Sequence, residues 1–126
     1  MTWNHRVAAI ALIAFAATVN AEGDSAHGQK LFESRCIACH SVDRHRVGPA
    51  LGEVFGRRAG SAPDYDYSAA VKRSGAVWTE QSLDRWLRNP EALIPGQKMG
   101  YTVNDARDRA DLIAYLRARA RTARRQ

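Results

Sequence analysis

Cys36-Ile37-Ala38-Cys39-His40 sets two thiols and an imidazole within five residues, and its reading decides the fold. Cysteines three apart fall on one side of a helical turn, so both can form thioethers with the two vinyl groups at one edge of a haem. His40 follows at once, placed for its imidazole to reach the iron perpendicular to the ring. Three other uses of these residues are weaker. A structural zinc takes four Cys or His ligands, usually in paired clusters, and no second cluster follows. A dithiol redox centre of the thioredoxin kind belongs after a strand in a βαβ unit, whereas Gln29 to Arg35 reads as helix. An ordinary structural disulfide is the third. The chain has no other cysteine and carries an export signal, and together these favour covalent haem.

The export signal lies at the N-terminus, where His5 and Arg6 precede the apolar run Val7 to Val19, and Val19-Asn20-Ala21 offers small or apolar residues at the cleavage positions. Residues 1–21 are therefore expected to be a signal peptide cleaved after Ala21. An uncleaved anchor is the lesser reading, because the run falls short of the ~20 residues a spanning helix needs. Residues 22–116 form one small domain, of a size at which a core alone gives marginal stability and a large buried cofactor would organise the fold.

The net charge of +6 invites a nucleic-acid reading, but its distribution argues against one. Arg6 leaves with the signal, thirteen basic and thirteen acidic residues cancel between Glu22 and Leu116, and Arg117, Arg119, Arg121, Arg124 and Arg125 crowd a basic tail, residues 117–126. The tail reads as a solvated, frayed helix end whose cations suit the helix dipole. Attraction to an acidic partner or membrane surface is the sharper alternative. Nothing supports sequence-specific DNA binding.

The mature chain shows helices and loops without strand alternation, so the expected class is all-α. Asp24 or Ser25 caps a first helix with Leu31 and Phe32 on its apolar side. Ser68 caps a short helix, Ala69 to Arg73, closed by Gly75. Thr79 caps another in which Leu83, Trp86 and Leu87 fall at i, i+3 and i+4 before Asn89-Pro90 stops it. Asn104 opens the last helix, with Ala106, Ala110, Ile113 and Ala114 as an inward stripe widened by Leu112, Tyr115 and Leu116. Between the haem motif and Ser68 the chain is rich in Gly and Pro. So long an irregular stretch needs something to wrap around.

A sixth iron ligand must come from elsewhere, and Met99 in Ile94-Pro95-Gly96-Gln97-Lys98-Met99 is the best candidate. A lone Met is more often core filling than ligand, but Pro and Gly make this segment rigid and non-helical, able to fold over the opposite haem face. His27 and His45 compete for the role. His27 lies inside the first helix and reads as exposed, and His45 sits in a loop too close to His40 to cross easily. Thioether ligation favours Fe(II) over bis-imidazole ligation, and filled axial positions exclude oxygen and peroxide, which argues for outer-sphere electron transfer.

With these residues in place, the chain resembles the class I cytochromes c of the mitochondrial and purple-bacterial periplasmic kind. The resemblance runs through Gly28 and Phe32, Cys36 to His40, Gly48-Pro49, Phe55-Gly56-Arg57, Ala62-Pro63, Tyr67-Ser68, Trp78, Asn89-Pro90, Ile94-Pro95-Gly96, Lys98-Met99 and Asp111 to Leu116. It implies one covalently bound haem c per chain, terminal helices crossing at Gly28 with Phe32 against Tyr115, and a Pro49 carbonyl accepting the His40 Nδ1 proton. It also implies that Arg57, Tyr67 and Trp78 hydrogen-bond the inner haem propionate, which would otherwise be buried at high cost. Val71, Gln97 and Trp86 stand where the family usually has Asn, Thr and Tyr, so an altered reduction potential is expected. Tyr101 would shield the haem beyond Met99.

The expected function is that of a soluble, monomeric, periplasmic electron carrier with iron held by His40 and Met99, not an enzyme. Its donor and acceptor proteins would present acidic docking surfaces to the exposed haem edge, where Lys30, Arg35, Lys72, Arg73 and Lys98 contribute. The alternatives are a haem-based gas sensor or weak peroxidase with a labile Met99, and a dedicated partner of one periplasmic dehydrogenase.

Overall fold

The computed structural model describes Met1 and residues 22–126, so the expected signal peptide falls, Met1 apart, outside the described residues. Helix α1, Ser25–Leu31, begins where the Asp24 carboxylate accepts the backbone N–H groups of Ala26 and His27, two donors that otherwise lack partners in a first turn. It passes into a π-helical turn, Phe32–Cys36, in which the Ile37 N–H reaches back to the Phe32 carbonyl at 3.1 Å. Residues 37–68 then run without a regular helix or strand. Helix α2, Ala69–Arg73, is capped by the Ser68 hydroxyl and followed by Gly75 at φ +67°.

Helix α3, Glu80–Arg88, starts at Thr79, whose hydroxyl accepts the Ser82 N–H while the Ser82 hydroxyl accepts the Thr79 N–H. Asn89-Pro90 ends α3 as expected, and the same pair opens a short helix that the pattern did not announce. In α4, Pro90–Leu93, the Asn89 side chain accepts the Ala92 N–H, and proline takes the first position, where its missing N–H costs nothing. Helix α5, Ala106–Ala123, is capped by Asp105 and not by the expected Asn104, because it is the Asp105 carboxylate that accepts the Asp108 N–H. Among the described residues the only β pairing is an isolated bridge between Arg58 and Val77. The all-α class holds, and no described helix is long and apolar enough to cross a membrane.

The terminal helices α1 and α5 cross at Gly28, where any Cβ would collide with the Asp111 carbonyl. Phe32 and Tyr115 meet beside the crossing with ring centroids 5.4 Å apart. Asp111 ties the crossing: its buried carboxylate accepts the Asp24 backbone N–H at 2.6 Å and the His27 Nδ1–H at 2.7 Å. The inward stripe of α5 holds at Leu112, Ile113, Tyr115 and Leu116, with Ala110 and Ala114 half-buried, but it does not reach Ala106. Leu112, Ile113, Leu116 and Ala120 are buried while Ala106 is exposed, since the large side chains gain more from burial than the alanines do. The helix also runs through Arg117 to Ala123 with Ala120 only 1 % exposed, so the boundary expected after Leu116 falls inside α5.

These helices enclose a core of Leu31, Phe32, Val71, Trp78, Leu83, Ile94, Val103, Leu112, Ile113 and Leu116. Cys36, Tyr67 and Trp86 pack against its edge.

Candidate haem site

The π-helical turn delivers Cys36 to the end of α1, and a tight turn follows in which the Cys36 carbonyl accepts the N–H groups of both Cys39 and His40, at 3.1 and 2.8 Å. Both thiols are free, Cys36 half-buried and Cys39 exposed. Burial raises the Cys36 thiol to a pKa of about 11, against the lowering influence of Arg35 and with a further small rise from Cys39. A dithiol redox centre or a zinc thiolate needs the opposite shift.

The His40 ring is held from two sides. Its Nδ1–H donates to the Pro49 carbonyl at 2.8 Å, which leaves Nε2 as the lone-pair nitrogen. Gly48 lies against the ring so closely that a Cβ would overlap it, and the Gly48 N–H bonds the Cys39 carbonyl at 2.7 Å. Burial lowers the His40 pKa, with the Pro49 bond opposing, so the ring stays neutral and available as a ligand. His45 is engaged elsewhere: Nε2–H donates to the Pro63 carbonyl and Nδ1 accepts the Ala50 N–H, at 2.8 and 2.9 Å. Neither ring nitrogen of His45 has a lone pair left for a metal. His27 donates Nδ1–H to Asp111 in the crossing of α1 and α5.

Met99 lies half-buried in the segment between α4 and α5, which is fixed at both ends. On the α4 side, the Glu91 carboxylate accepts the Gly96 N–H and the Gln97 side-chain amide at 3.0 and 3.2 Å, and the Gln97 carbonyl oxygen accepts the Gly100 N–H at 3.0 Å. On the α5 side, Arg109 is 4 % exposed and sends Nη1 to the carbonyls of Val103 and Asn104, at 2.9 and 2.8 Å, while Nε meets Asp84 of α3 at 2.7 Å. The Val103 N–H completes the attachment on the Leu87 carbonyl. Sequence reasoning missed Glu91, Asp84 and Arg109. The signal for Arg109 was a cation at i−3 and i−4 from Leu112 and Ile113, inside an apolar stripe.

Of the three residues expected at the propionate, Arg57 and Trp78 are joined by the backbone: the Trp78 N–H donates to the Arg57 carbonyl at 2.9 Å. Trp78 is 7 % exposed and stacks obliquely on Trp86, with centroids 5.2 Å apart. Tyr67 is half-buried, its ring edge-on to Tyr65 at 4.7 Å. Arg57 sends Nη2 to the Ala50 carbonyl at 3.2 Å, while its Nε is buried with no protein acceptor among the described residues. A buried donor left unpaired costs ~1–3 kcal/mol, so Nε fits an acceptor that arrives with a ligand, as a carboxylate would. Two free thiols on one turn, a tethered imidazole with Nε2 open, and an orphaned guanidinium nitrogen together fit a covalently bound haem.

The cations expected around the docking edge are exposed, although Arg35 is paired with Asp108 at 3.2 Å and Lys72 with Asp66 at 3.3 Å. Tyr101 is 42 % exposed.

Comparison with known proteins gives one consistent result. The family model described as Cytochrome c matches residues 25–120. Cytochrome c type-1 of Ascaris suum is 45% identical over 98 residues, covering 75% of this chain and 88% of that protein. Cytochrome c2 of Rhodopila globiformis is 45% identical over 97 residues, covering 75% of this chain and 92% of its own. Among solved structures, cytochrome cH from Methylobacterium extorquens superposes with a TM-score of 0.73 at 41% identity, covering 76% of this chain and 99% of that one.

Proposed function

Because this chain belongs to the cytochrome c family, whose members carry covalently attached haem c and serve as electron carriers, we propose that it shuttles single electrons between redox proteins of the periplasm, with iron ligated by His40 and Met99. The observation that carries the reading is the pairing of a His40 ring held by Pro49 with a buried Arg57 Nε that has no protein acceptor.

Bound haem supplies a one-electron iron couple. Cys36 and Cys39, at the end of α1, would anchor it through thioethers. His40 presents Nε2 to the iron, and the Pro49 carbonyl orients the ring and raises its basicity. Met99 offers its sulfur from the segment held by Glu91, Gln97 and Arg109, favouring the reduced state. Arg57, Tyr67 and Trp78 serve the inner propionate. With His40 and Met99 both holding it, the iron would offer no open site to dioxygen or peroxide, and the protein would exchange electrons with donors and acceptors of acidic surface. We place the protein in the periplasm, as a monomer, after removal of residues 1–21.

Maturation in a host with haem-attachment machinery should yield a red protein whose ferric form shows the weak far-red band of methionine ligation, and whose ferrous form fails to bind carbon monoxide. Mass spectrometry should find one haem and an N-terminus at Glu22. Met99→Ala should abolish the band and admit carbon monoxide. Carbon monoxide binding by the unsubstituted protein would favour the sensor or peroxidase reading instead.

A further inference from the structure

His45 is half-buried and makes two hydrogen bonds, each to a group that can play only one part. Pro63 offers a carbonyl, so Nε2 carries the proton, and Ala50 offers an N–H, so Nδ1 is the accepting nitrogen, at 2.8 and 2.9 Å. Pro49 and Ala50 are laid in place without these bonds. Their segment runs along residues 39–42, with the N–H groups of Gly48, Leu51 and Gly52 on the carbonyls of Cys39, Ser41 and Val42 at 2.7, 2.9 and 2.9 Å. The Ala50 N–H belongs to the same peptide unit as the Pro49 carbonyl, and that carbonyl accepts the His40 Nδ1–H at 2.8 Å. One planar amide thus stands between two imidazoles, accepting from His40 and donating to His45.

We propose that His45 is a positioning residue for the axial ligand, lowering the reduction potential of the iron through the Pro49–Ala50 amide. The inference rests on the reading of His40 as the iron ligand. Hydrogen bonds in a row polarise one another, because an acceptor on an amide N–H deepens the negative charge on the carbonyl of the same unit. With His45 accepting, the Pro49 oxygen draws harder on the His40 Nδ1–H, and the ring becomes more basic at Nε2. A more basic ring favours Fe(III), so the accepting nitrogen of His45 lowers the potential. A purely structural role has the opposite sign. Losing a tie between loops admits water to the haem, and water stabilises the more charged ferric state and lowers the potential. Losing the polarising bond raises it.

The test compares three variants with the original as mature holoproteins, by potentiometric titration and by the far-red methionine band. In H45N the side-chain oxygen stands in for Nδ1 toward the Ala50 N–H, and the bond to Pro63 is given up. H45F keeps a ring beside Tyr65, whose centroid lies 5.2 Å from that of His45, but has no nitrogen, and H45L keeps only bulk. H45F and H45L should shift the potential upward, and H45N should match the original. In the ferrous proteins the His40 Nδ1–H proton resonance should move upfield in H45F and H45L and stay in place in H45N. An unchanged or lowered potential in H45F and H45L, an unmoved His40 resonance in them, or an equal shift in H45N overturns the proposal. Should H45F and H45L lose the methionine band, H45N keeping both the band and the original potential supports it. Loss of the band in H45N overturns it, by making the Pro63 bond the essential one. The band of the unsubstituted protein and its failure to bind carbon monoxide test the carrier reading separately, whatever the variants do.

Discussion

Arg57 is the residue that calls most directly for a ligand, since one arm of its guanidinium reaches Ala50 while Nε faces no protein acceptor among the described residues. If a haem propionate is the missing acceptor, the guanidinium charge destabilises the more positive ferric state. Arg57→Gln should then lower the reduction potential, as a potentiometric titration of the holoprotein would show. An unchanged potential would place Arg57 away from the haem. The residue scale is also where reading from sequence has its sharpest limits. Cys36, Cys39 and His40 announce themselves because their chemistry is packed into one turn, and Pro49 is close enough in sequence to follow. His27 reads as an exposed helix residue, and its side chain is in fact partly exposed. Its bond to Asp111 spans 84 positions, and no local pattern encodes such a pairing.

At the scale of elements, the caps at Asp24, Ser68 and Thr79 were legible because a side chain satisfying its own helix start is a local event. The Met99 segment was legible only as a Pro- and Gly-stiffened loop. What holds it comes from two other elements, α3 and α5, and from the α4 turn that hides inside Asn89-Pro90. Its two ends are held with different strength. Glu91 and Gln97 work at the surface, where each bond contributes about 0.5–1.5 kcal/mol at most. Arg109 is buried against a part-exposed Asp84 and two carbonyls, and losing such charge-assisted bonds costs roughly 1.5–3 kcal/mol. Gln97→Ala should therefore leave the melting temperature nearly unchanged while speeding the displacement of Met99 by added imidazole. Arg109→Met should lower the melting temperature steeply. A far-red band that survives heating equally well in both variants would mean that the segment draws its rigidity from elsewhere.

For the whole molecule, the crossing of α1 and α5 brings the two ends of the domain together and closes the wrap formed by residues 37–105. Gly28 permits the approach, and Asp111 ties it with one bond to the first residue before α1 and one to its third. Burial works to raise the Asp111 pKa, but the His27 and Asp24 bonds together with Arg107 prevail and hold it below the ordinary carboxylate value. A carboxyl depressed in the folded state binds its proton more readily when unfolded. Its contribution is thus present in full above the unfolded pKa of about 4 and is lost as pH falls through the lower folded value. Asp111→Asn removes that dependence and leaves His27 Nδ1–H facing an amide that cannot satisfy it together with Asp24 as the carboxylate does. The variant should be less stable by about 1–3 kcal/mol at neutral pH, and its stability should fall less between pH values of roughly 5 and 3 than that of the original protein. Denaturant melts across that range would measure both effects. Parallel acid limbs would show that the carboxylate contributes no proton linkage, and that the helix crossing stands on Gly28, Phe32 and Tyr115 alone.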